Sequence, residues 1–309
     1  MASPRTKKQK QPEGPAPVVL FDTYSLLFRA HHALPPMNTA TGEPTSALYG
    51  FSAVVLKVLK EQRPRAFAFA LDAPRRTFRH EAYADYKGSR EAAPSVLVEQ
   101  LKRLPWLLEA FGVPVMCVPG FEADDVLATL ATKLCARDEA ALVVSGDRDM
   151  LQLCNERCRV YFVGARGQEP TLFDVEKVRE RFGVEPAQMP TRAALVGDAS
   201  DNLPGVPGIG PQTAAKLVQE FGSVEGLLAR VDEVNPERIR EALRAHAEQI
   251  RLNEDLSRLR RDVDLPEGEL AKSLSADSFV SLGKAFEALE FKSLLTRLAA
   301  LEGVLRATP

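Results

Sequence analysis

The sequence predicts an α/β fold, with a mainly parallel central sheet flanked by helices and a helical subdomain after it. Short continuous apolar runs alternate with helix-period stretches through the first half of the chain, the pattern of a sheet buried on both faces. Strand-like runs fade after about residue 170. Gly and Pro then crowd one segment, residues 202–210, that joins two helical stretches.

Taken in order, residues 1–17 are basic and Pro-rich and read as a disordered arm. Five apolar runs follow as candidate strands: Val18–Phe21, Ala66–Leu71, Val113–Val118, Ala141–Val144 and Val160–Val163. Between them Ala47–Leu59 carries Leu48, Phe51, Val54, Val55, Val58 and Leu59, a helical stripe, and Val126, Leu127, Leu130 and Leu134 form another. This assigns residues 18–170 to the α/β core. Residues 171–309 read as the helical subdomain, with helices over Phe173–Phe182, Pro190–Gly197, Pro211–Phe221 and most of Pro236–Leu301.

Composition narrows the function. The 309 residues are 45% apolar and 27% charged, with 40 basic against 42 acidic residues for a net charge of −2, which excludes disorder throughout. No apolar run approaches the roughly 18 residues that span a bilayer. The opening segment has no hydrophobic stretch of the kind a secretory signal needs. Cys117, Cys135, Cys154 and Cys158 form neither a disulfide framework nor two metal-spaced pairs, so a reducing cytoplasm is expected.

The acidic residues carry the chemistry. Three apolar runs end in Asp: Phe21 gives way to Asp22, Leu71 to Asp72, and Val144-Ser145-Gly146 to Asp147, with Asp149 two residues on. Any one of these alone suits a turn or a helix cap. Three strand ends of one open sheet, however, would aim their acids into one crevice. Glu122-Ala123-Asp124-Asp125 opens a helix with more carboxylates than its dipole calls for, and Asp198 and Asp201 follow a helix end, where the dipole disfavours them. Nine such acids in one cleft would repel one another, and hard divalent cations relieve that repulsion. With no His or Cys among them, Mg²⁺ or Mn²⁺ is favoured over zinc, and nine ligands suggest two ions. Paired ions about 3.5–4 Å apart stabilise both the attacking and the leaving oxygens of a phosphoryl displacement. Removing nine negative charges from a net −2 leaves the rest of the chain at +7, which suits a nucleic-acid substrate.

Two further segments fit that substrate. Arg75 to Arg90 interleaves basic and aromatic residues directly after Asp72, as expected of a strand-gripping arch at about residues 75–95; a solvated amphipathic helix with Phe78, Tyr83 and Tyr86 turned inward is the plainer reading. The segment Gly205 to Pro211 ends with Pro at a helix start, where backbone N–H groups, Thr213 and Lys216 could hold a phosphate; a tight turn between helices would need the same glycines.

These residues resemble a known family: the 5′ nuclease domain of bacterial DNA polymerase I and the related 5′–3′ exonucleases and flap endonucleases. The matching stretches are Gly42-Glu43-Pro44, Phe78-Arg79, Tyr86-Lys87 with Arg90, Glu122–Asp125, Gly146–Asp149, Gly197–Val206, Gly208–Gly210 and Leu289–Leu294, spanning Val18 to about Leu301. The resemblance implies a PIN-like core and a helix–three-turn–helix at about residues 190–221. It implies that Asp22, Asp72, Glu122, Asp124 and Asp125 serve one metal site, and Asp147, Asp149, Asp198 and Asp201 a second. By the same resemblance Lys87 engages the scissile phosphate and Tyr86 stacks on the terminal base. Arg79 and Arg90 belong to the arch, and the loop bearing Gly205, Gly208 and Gly210 holds the duplex, with carbonyls that can bind K⁺.

The expected function is thus structure-specific cleavage of DNA at a 5′ flap, a free 5′ end or a single-strand/duplex junction. The setting would be replication and repair, near the nucleoid, by a monomer with a DNA polymerase as a partner. A PIN-like ribonuclease, a non-catalytic junction binder and a small-phosphate hydrolase are the rivals. No polymerase-like region follows Leu301, and the initial Met and basic arm favour a free-standing nuclease over a fragment. One departure stands out: Thr23 follows Asp22 where the family usually has Gly, and a side chain there could crowd the metal or substrate.

Overall fold

In the computed structural model, which describes residues 16–74, 76–266 and 271–306, the first half folds around a six-stranded sheet. The strands are β1 (Val18–Asp22), β2 (Ala66–Ala70), β3 (Val115–Met116), β4 (Ala141–Ser145), β5 (Cys158–Phe162) and β6 (Thr171–Phe173), in the order β3-β2-β1-β4-β5-β6. All neighbouring pairs are parallel except β5 with β6. The expected basic arm lies almost wholly outside the described residues, as does Arg75 of the arch segment.

Alternation along the strands builds two cores. Val18 and Leu20 of β1, Ala68 and Ala70 of β2 and Val143 of β4 face helix α5 (Ala123–Ala136), whose Val126, Leu127 and Leu130 are buried against them. Val19, Phe21, Phe67, Phe69, Leu142 and Val144 face the other way. They meet helices α2 (Ser46–Gln62) and α4 (Ser95–Phe111) through Phe51, Val55, Leu104 and Phe111. Burial on both faces is why these strands read as continuous apolar runs.

The chain runs outward from β1 to β2 and β3, then returns to β4 on the opposite side of β1. That reversal opens a crevice at the carboxyl ends of β1 and β4, the usual place for a site in such sheets. Helix α1 (Thr23–Ala33) begins there, directly from the end of β1.

The second half holds helices α6 (Val175–Phe182), α7 (Met189–Val196), α8 (Pro211–Phe221), α9 (Val224–Ala229), α10 (Glu237–Ala245) and α11 (Ala247–Ser257). Helices α12 (Ala276–Ala288) and α13 (Lys292–Arg306) end the described chain. Three details differ from the sequence reading. The sheet runs past residue 170, because Thr171–Phe173 adds an antiparallel edge too short to register as an apolar run. None of the described residues in 258–275 is helical, and Lys272 instead forms a backbone bridge to Phe67 at its edge of the sheet. Helices α12 and α13 do not join the helical subdomain: Phe286, Phe291, Leu294 and Leu298 pack into the core beneath α2 and α4.

Candidate metal and nucleic-acid site

The site grows from the ends of β1 and β4. Asp22 is the last residue of β1 and also the N-cap of α1, its Oδ1 accepting from the Ser25 backbone N–H at 3.2 Å. Across the crevice, the Ser145 hydroxyl at the end of β4 donates to Asp22 Oδ2 at 2.5 Å and accepts from the Asp147 N–H at 2.9 Å. Asp147 Oδ1 in turn accepts from the Asp149 N–H at 2.9 Å. The Ser25 hydroxyl accepts from the Gly146 N–H, and Arg29 donates to the Gly146 carbonyl at 2.6 Å, so α1 holds the β4 loop in place. Ser25, Arg29 and Ser145 were not among the expected site residues. Ser25 had a readable signal, since it stands three residues after a strand-ending Asp, at the position a cap serves.

Asp22, Asp72, Asp124, Asp147, Lys87 and Arg90 together line one cavity of about 640 Å³. Asp72 is fixed by accepting from the Ala123 N–H at 2.7 Å, which ties the end of β2 to the start of α5. Withdrawal from water pushes the Asp22 carboxyl up to about 7, with the nearby charges of Asp72 and Asp147 adding to the rise and the Ser145 hydrogen bond opposing it. Asp124 is raised well above the usual carboxylate range by desolvation, then by the charges of Asp22, Asp147, Asp72 and Glu122. Asp149 is raised by desolvation and by Asp147, Asp201 and Asp198. Asp147 is also raised, chiefly by desolvation. These carboxylates lie within electrostatic reach of one another without enough positive charge to balance them.

That donor set fits hard divalent cations. No three His, Cys, Asp or Glu side chains among the described residues close into a ready-made cage. An open, acidic crevice is nonetheless what Mg²⁺ uses, because that ion keeps several waters and takes one or two carboxylates together with substrate phosphates.

Asp125 departs from the expectation. Both its oxygens are taken by Arg79, at 2.6 and 2.8 Å, and Oδ1 also accepts from the Arg260 N–H while Oδ2 closes the α5 capping box with Glu122. It is fully buried and serves the fold, leaving no lone pair directed at the crevice. Arg79 is likewise 1% exposed and donates to the Leu256 carbonyl at 2.8 Å, so it does not reach for a DNA strand. Burial works against its charge, but the Asp125 carboxylate more than offsets this and raises its pKa.

The rest of the segment expected to form an arch packs down onto the acids. Helix α3 (Phe78–Ala82) is one short element of it. Tyr86 is buried, and its hydroxyl donates to Asp201 at 2.8 Å and faces Glu122 at 3.2 Å; its ring is therefore not open for stacking on a base in this conformation. Lys87 donates from Nζ to Glu122 at 2.7 Å, and its own N–H donates to the Asp201 carbonyl at 3.0 Å. Arg90 pairs with Asp201 at 2.7 Å. The unfavourable charge expected at Asp201 is thus offset by Arg90. Asp198 accepts from the N–H and hydroxyl of Ser200, both at 2.7 Å. Thr23 is fully buried and is absent from the cavity lining, so its side chain does not crowd the crevice.

The glycine segment joins α7 to α8. A Cβ on Gly205 would lie 2.1 Å from the Val196 carbonyl oxygen, and one on Gly197 would lie 2.3 Å from the Gly205 nitrogen, so these two glycines are required by backbone packing. Gly208 adopts φ +82°, which favours Gly, whereas Gly210 faces open space at the N-cap of α8. Asn253 on α11 donates to the Pro204 carbonyl at 2.8 Å and braces the loop. Lys216 is exposed on α8 and Thr213 half-buried in its first turn.

Residues 17–183 match the resolvase-like N-terminal domain of the 5′-3′ exonuclease family, and residues 184–277 match its C-terminal SAM-fold domain. This chain belongs to the 5′-3′ exonuclease family. Within the family it is 37% identical to the 5′-3′ exonuclease of Aquifex aeolicus over 276 residues, which is 89% of this chain and 93% of that protein. It is 42% identical to DNA polymerase I of Mycobacterium leprae and to the thermostable DNA polymerase I of Thermus thermophilus, over 91% and 92% of this chain. It spans only about a third of the length of those two polymerases, 31% and 33%. Among solved structures, T5 5′-exonuclease with bound zinc ions has a similar fold, with a TM-score of 0.63 and 20% identity over 93% of this chain and 99% of that one. The catalytic core of Rad2 in complex with a DNA substrate has a TM-score of 0.60 and 17% identity over 92% of each chain. No helix among the described residues is long and apolar enough to cross a membrane.

Proposed function

We propose that this chain is a structure-specific 5′ nuclease that hydrolyses DNA phosphodiester bonds near a free 5′ end, a 5′ flap or a single-strand/duplex junction, in replication and repair. The observation that carries this reading is the convergence of Asp22, Asp72, Asp124 and Asp147, from four separate segments, on one cavity that also admits Lys87 and Arg90. Asp22, Asp72, Glu122 and Asp124 would hold one Mg²⁺ or Mn²⁺, and Asp147, Asp149, Asp198 and Asp201 a second, partly through water. When bound, the ions supply positive charge to the oxygens of the scissile phosphodiester.

The chain's own groups do the rest. Lys87, its pKa held up by Glu122 and Asp201 against the cost of burial, keeps its charge at the crevice mouth, where it can orient the scissile phosphate. Arg90 offers a guanidinium fork to an adjacent phosphate. Ser145 and Ser25 hold Asp22 and the Asp147 loop in register, so the carboxylates need not reorganise when substrate arrives. The Gly205–Gly210 loop, the α8 N-terminus with Thr213, and Lys216 would hold the duplex backbone, the loop carbonyls taking K⁺. The N-terminus of an eleven-residue helix and its free N–H groups suit a phosphate. A DNA polymerase, separate or covalently continuous, is the partner this reading proposes.

The deciding experiment uses the full chain with a 5′-labelled flap duplex and a matched single-stranded RNA, each with and without Mg²⁺, and resolves the product lengths. Cleavage of the flap near its junction only with Mg²⁺ is expected. Binding without cleavage would favour a junction-binding protein, and preferential cleavage of the RNA a PIN-like ribonuclease.

A further inference from the structure

A second cavity, of about 670 Å³, lies among β5, β6, α6 and α7. Arg148, which stands between Asp147 and Asp149 in sequence, lines this cavity rather than the carboxylate crevice. Arg148, Lys177, Arg181 and Arg192 face it against one acid, Glu180. None of these four cations forms an ion pair with a carboxylate among the described residues, whereas Arg179, Arg251 and Arg260 elsewhere each do.

Arg192 is the most telling of the four. Its Nε is enclosed and has no hydrogen-bond partner among the described residues, and its guanidinium lies 5.4 Å from the Phe182 ring centroid. Burial, then the like charge of Arg148, lowers its pKa below the ordinary arginine value. A guanidinium with its Nε enclosed and unpartnered, whose charged neighbour is another guanidinium, lacks the anion that would satisfy both. The aromatic walls are already engaged: Phe173 packs with Phe182 at 6.1 Å and carries Lys177 at 6.0 Å. What remains unmet in the cavity is negative charge, not a stacking partner.

We propose that this cavity is a phosphate-binding site, in which Arg192 and Arg148 hold a phosphate group and Lys177 and Arg181 guard its mouth. A phosphate there would grip, through Arg148, the loop that carries Asp147 and Asp149. Its source is a backbone phosphate of bound DNA or free phosphate, which share the same tetrahedral oxyanion chemistry. The DNA source rests on the nuclease reading above; the free-phosphate source does not.

The test compares the full-length wild type with Arg192→Gln and with the surface double variant Lys177→Gln/Arg181→Gln, using Lys60→Gln on α2 as the control. Flap-duplex binding is measured across a KCl series with EDTA present to prevent cleavage, and inorganic phosphate is titrated calorimetrically. A backbone-phosphate site predicts that Arg192→Gln weakens DNA binding about tenfold and lowers the salt slope by about 1, with the control unchanged. A free-phosphate site predicts saturable phosphate binding by the wild type that Arg192→Gln loses, with the DNA salt slope unaltered. If both variants keep the wild-type melting curve, DNA salt slope and phosphate isotherm, the proposal is overturned. Should Arg192→Gln fail to fold, the double variant decides by the same readings. Failure of the nuclease reading itself shows separately, as absence of Mg²⁺-dependent cleavage by the wild type.

Discussion

Arg79 and Asp125 form a doubly hydrogen-bonded ion pair, at 2.6 and 2.8 Å, with neither side chain reaching solvent. It joins α3 to the first turn of α5, and through the Leu256 carbonyl to the end of α11. Removing one partner strands a buried charge, so Arg79→Ala is expected to destabilise the protein by about 3–5 kcal/mol, measured by urea unfolding. Arg79→Met combined with Asp125→Leu should recover much of that loss. A single Arg79→Ala variant with wild-type stability would contradict the pairing.

Asp22 makes the metal-free protein sensitive to pH. Its carboxyl sits at about 7 in the fold against 3.8 in its unperturbed state. Between those values the folded chain binds more protons than the unfolded one, so this group's contribution to stability is full below about pH 4 and falls as pH rises through about 7. Asp22→Asn removes the dependence. In EDTA the variant should match the wild type near pH 4 and exceed it near pH 8 by on the order of a few kcal/mol, at about 1.4 kcal/mol per pKa unit. Melting curves across that range check this, and added Mg²⁺ should stabilise the wild type far more at the alkaline end.

Asp147 lines the crevice, its N–H donating to the Ser145 hydroxyl and its Oδ1 accepting from the Asp149 N–H. Asp147→Ala is expected to lower cleavage by about 100-fold or more while leaving duplex affinity nearly unchanged. Single-turnover rates and anisotropy measurements separate the two effects. Undiminished cleavage would remove Asp147 from the catalytic set.

Two glycines of one loop should behave differently. Gly205→Ala drives a methyl into the Val196 carbonyl and is expected to cost several kcal/mol of stability. Gly210→Ala meets open space and should cost only about 1 kcal/mol as a poorer N-cap, yet weaken duplex binding by crowding the α8 N-terminus. Melting temperature against DNA affinity for the pair tests this separation.

Thr23 presents a buried hydroxyl with no partner among the described residues. Thr23→Val keeps the shape and removes the unpaired polar group, so stability should hold or rise by about 1–2 kcal/mol, with cleavage unchanged. A large fall in turnover would mean that the hydroxyl faces the reacting groups after all.

The sheet and the acids at its strand ends were legible because both depend on local patterns: unbroken apolar runs and the residue that ends each run. The Arg79–Asp125 pair was not, since two charged residues 46 positions apart look like surface until tertiary packing encloses them. Strand β6 was missed because three residues at an edge carry too little periodicity to read. The attachment of α12 and α13 to the core was invisible for a related reason: an amphipathic stripe tells that a helix is covered, not by what. Ser145 lay within the strand-end motif, yet its role depends on β4 lying beside β1.

The two family-matched regions meet at residues 183 and 184, and the contacts of Asp201 cross from one region to the other. Seven of the nine expected acids fall on one side, while Asp198 and Asp201 fall on the other, with Asp201 alone partnering Tyr86, Lys87 and Arg90 across the boundary. Expressed apart, the first piece would lose the Asp201 partner of Tyr86, Lys87 and Arg90, so recombination could exchange neither half without breaking the contacts that seat residues 86–90.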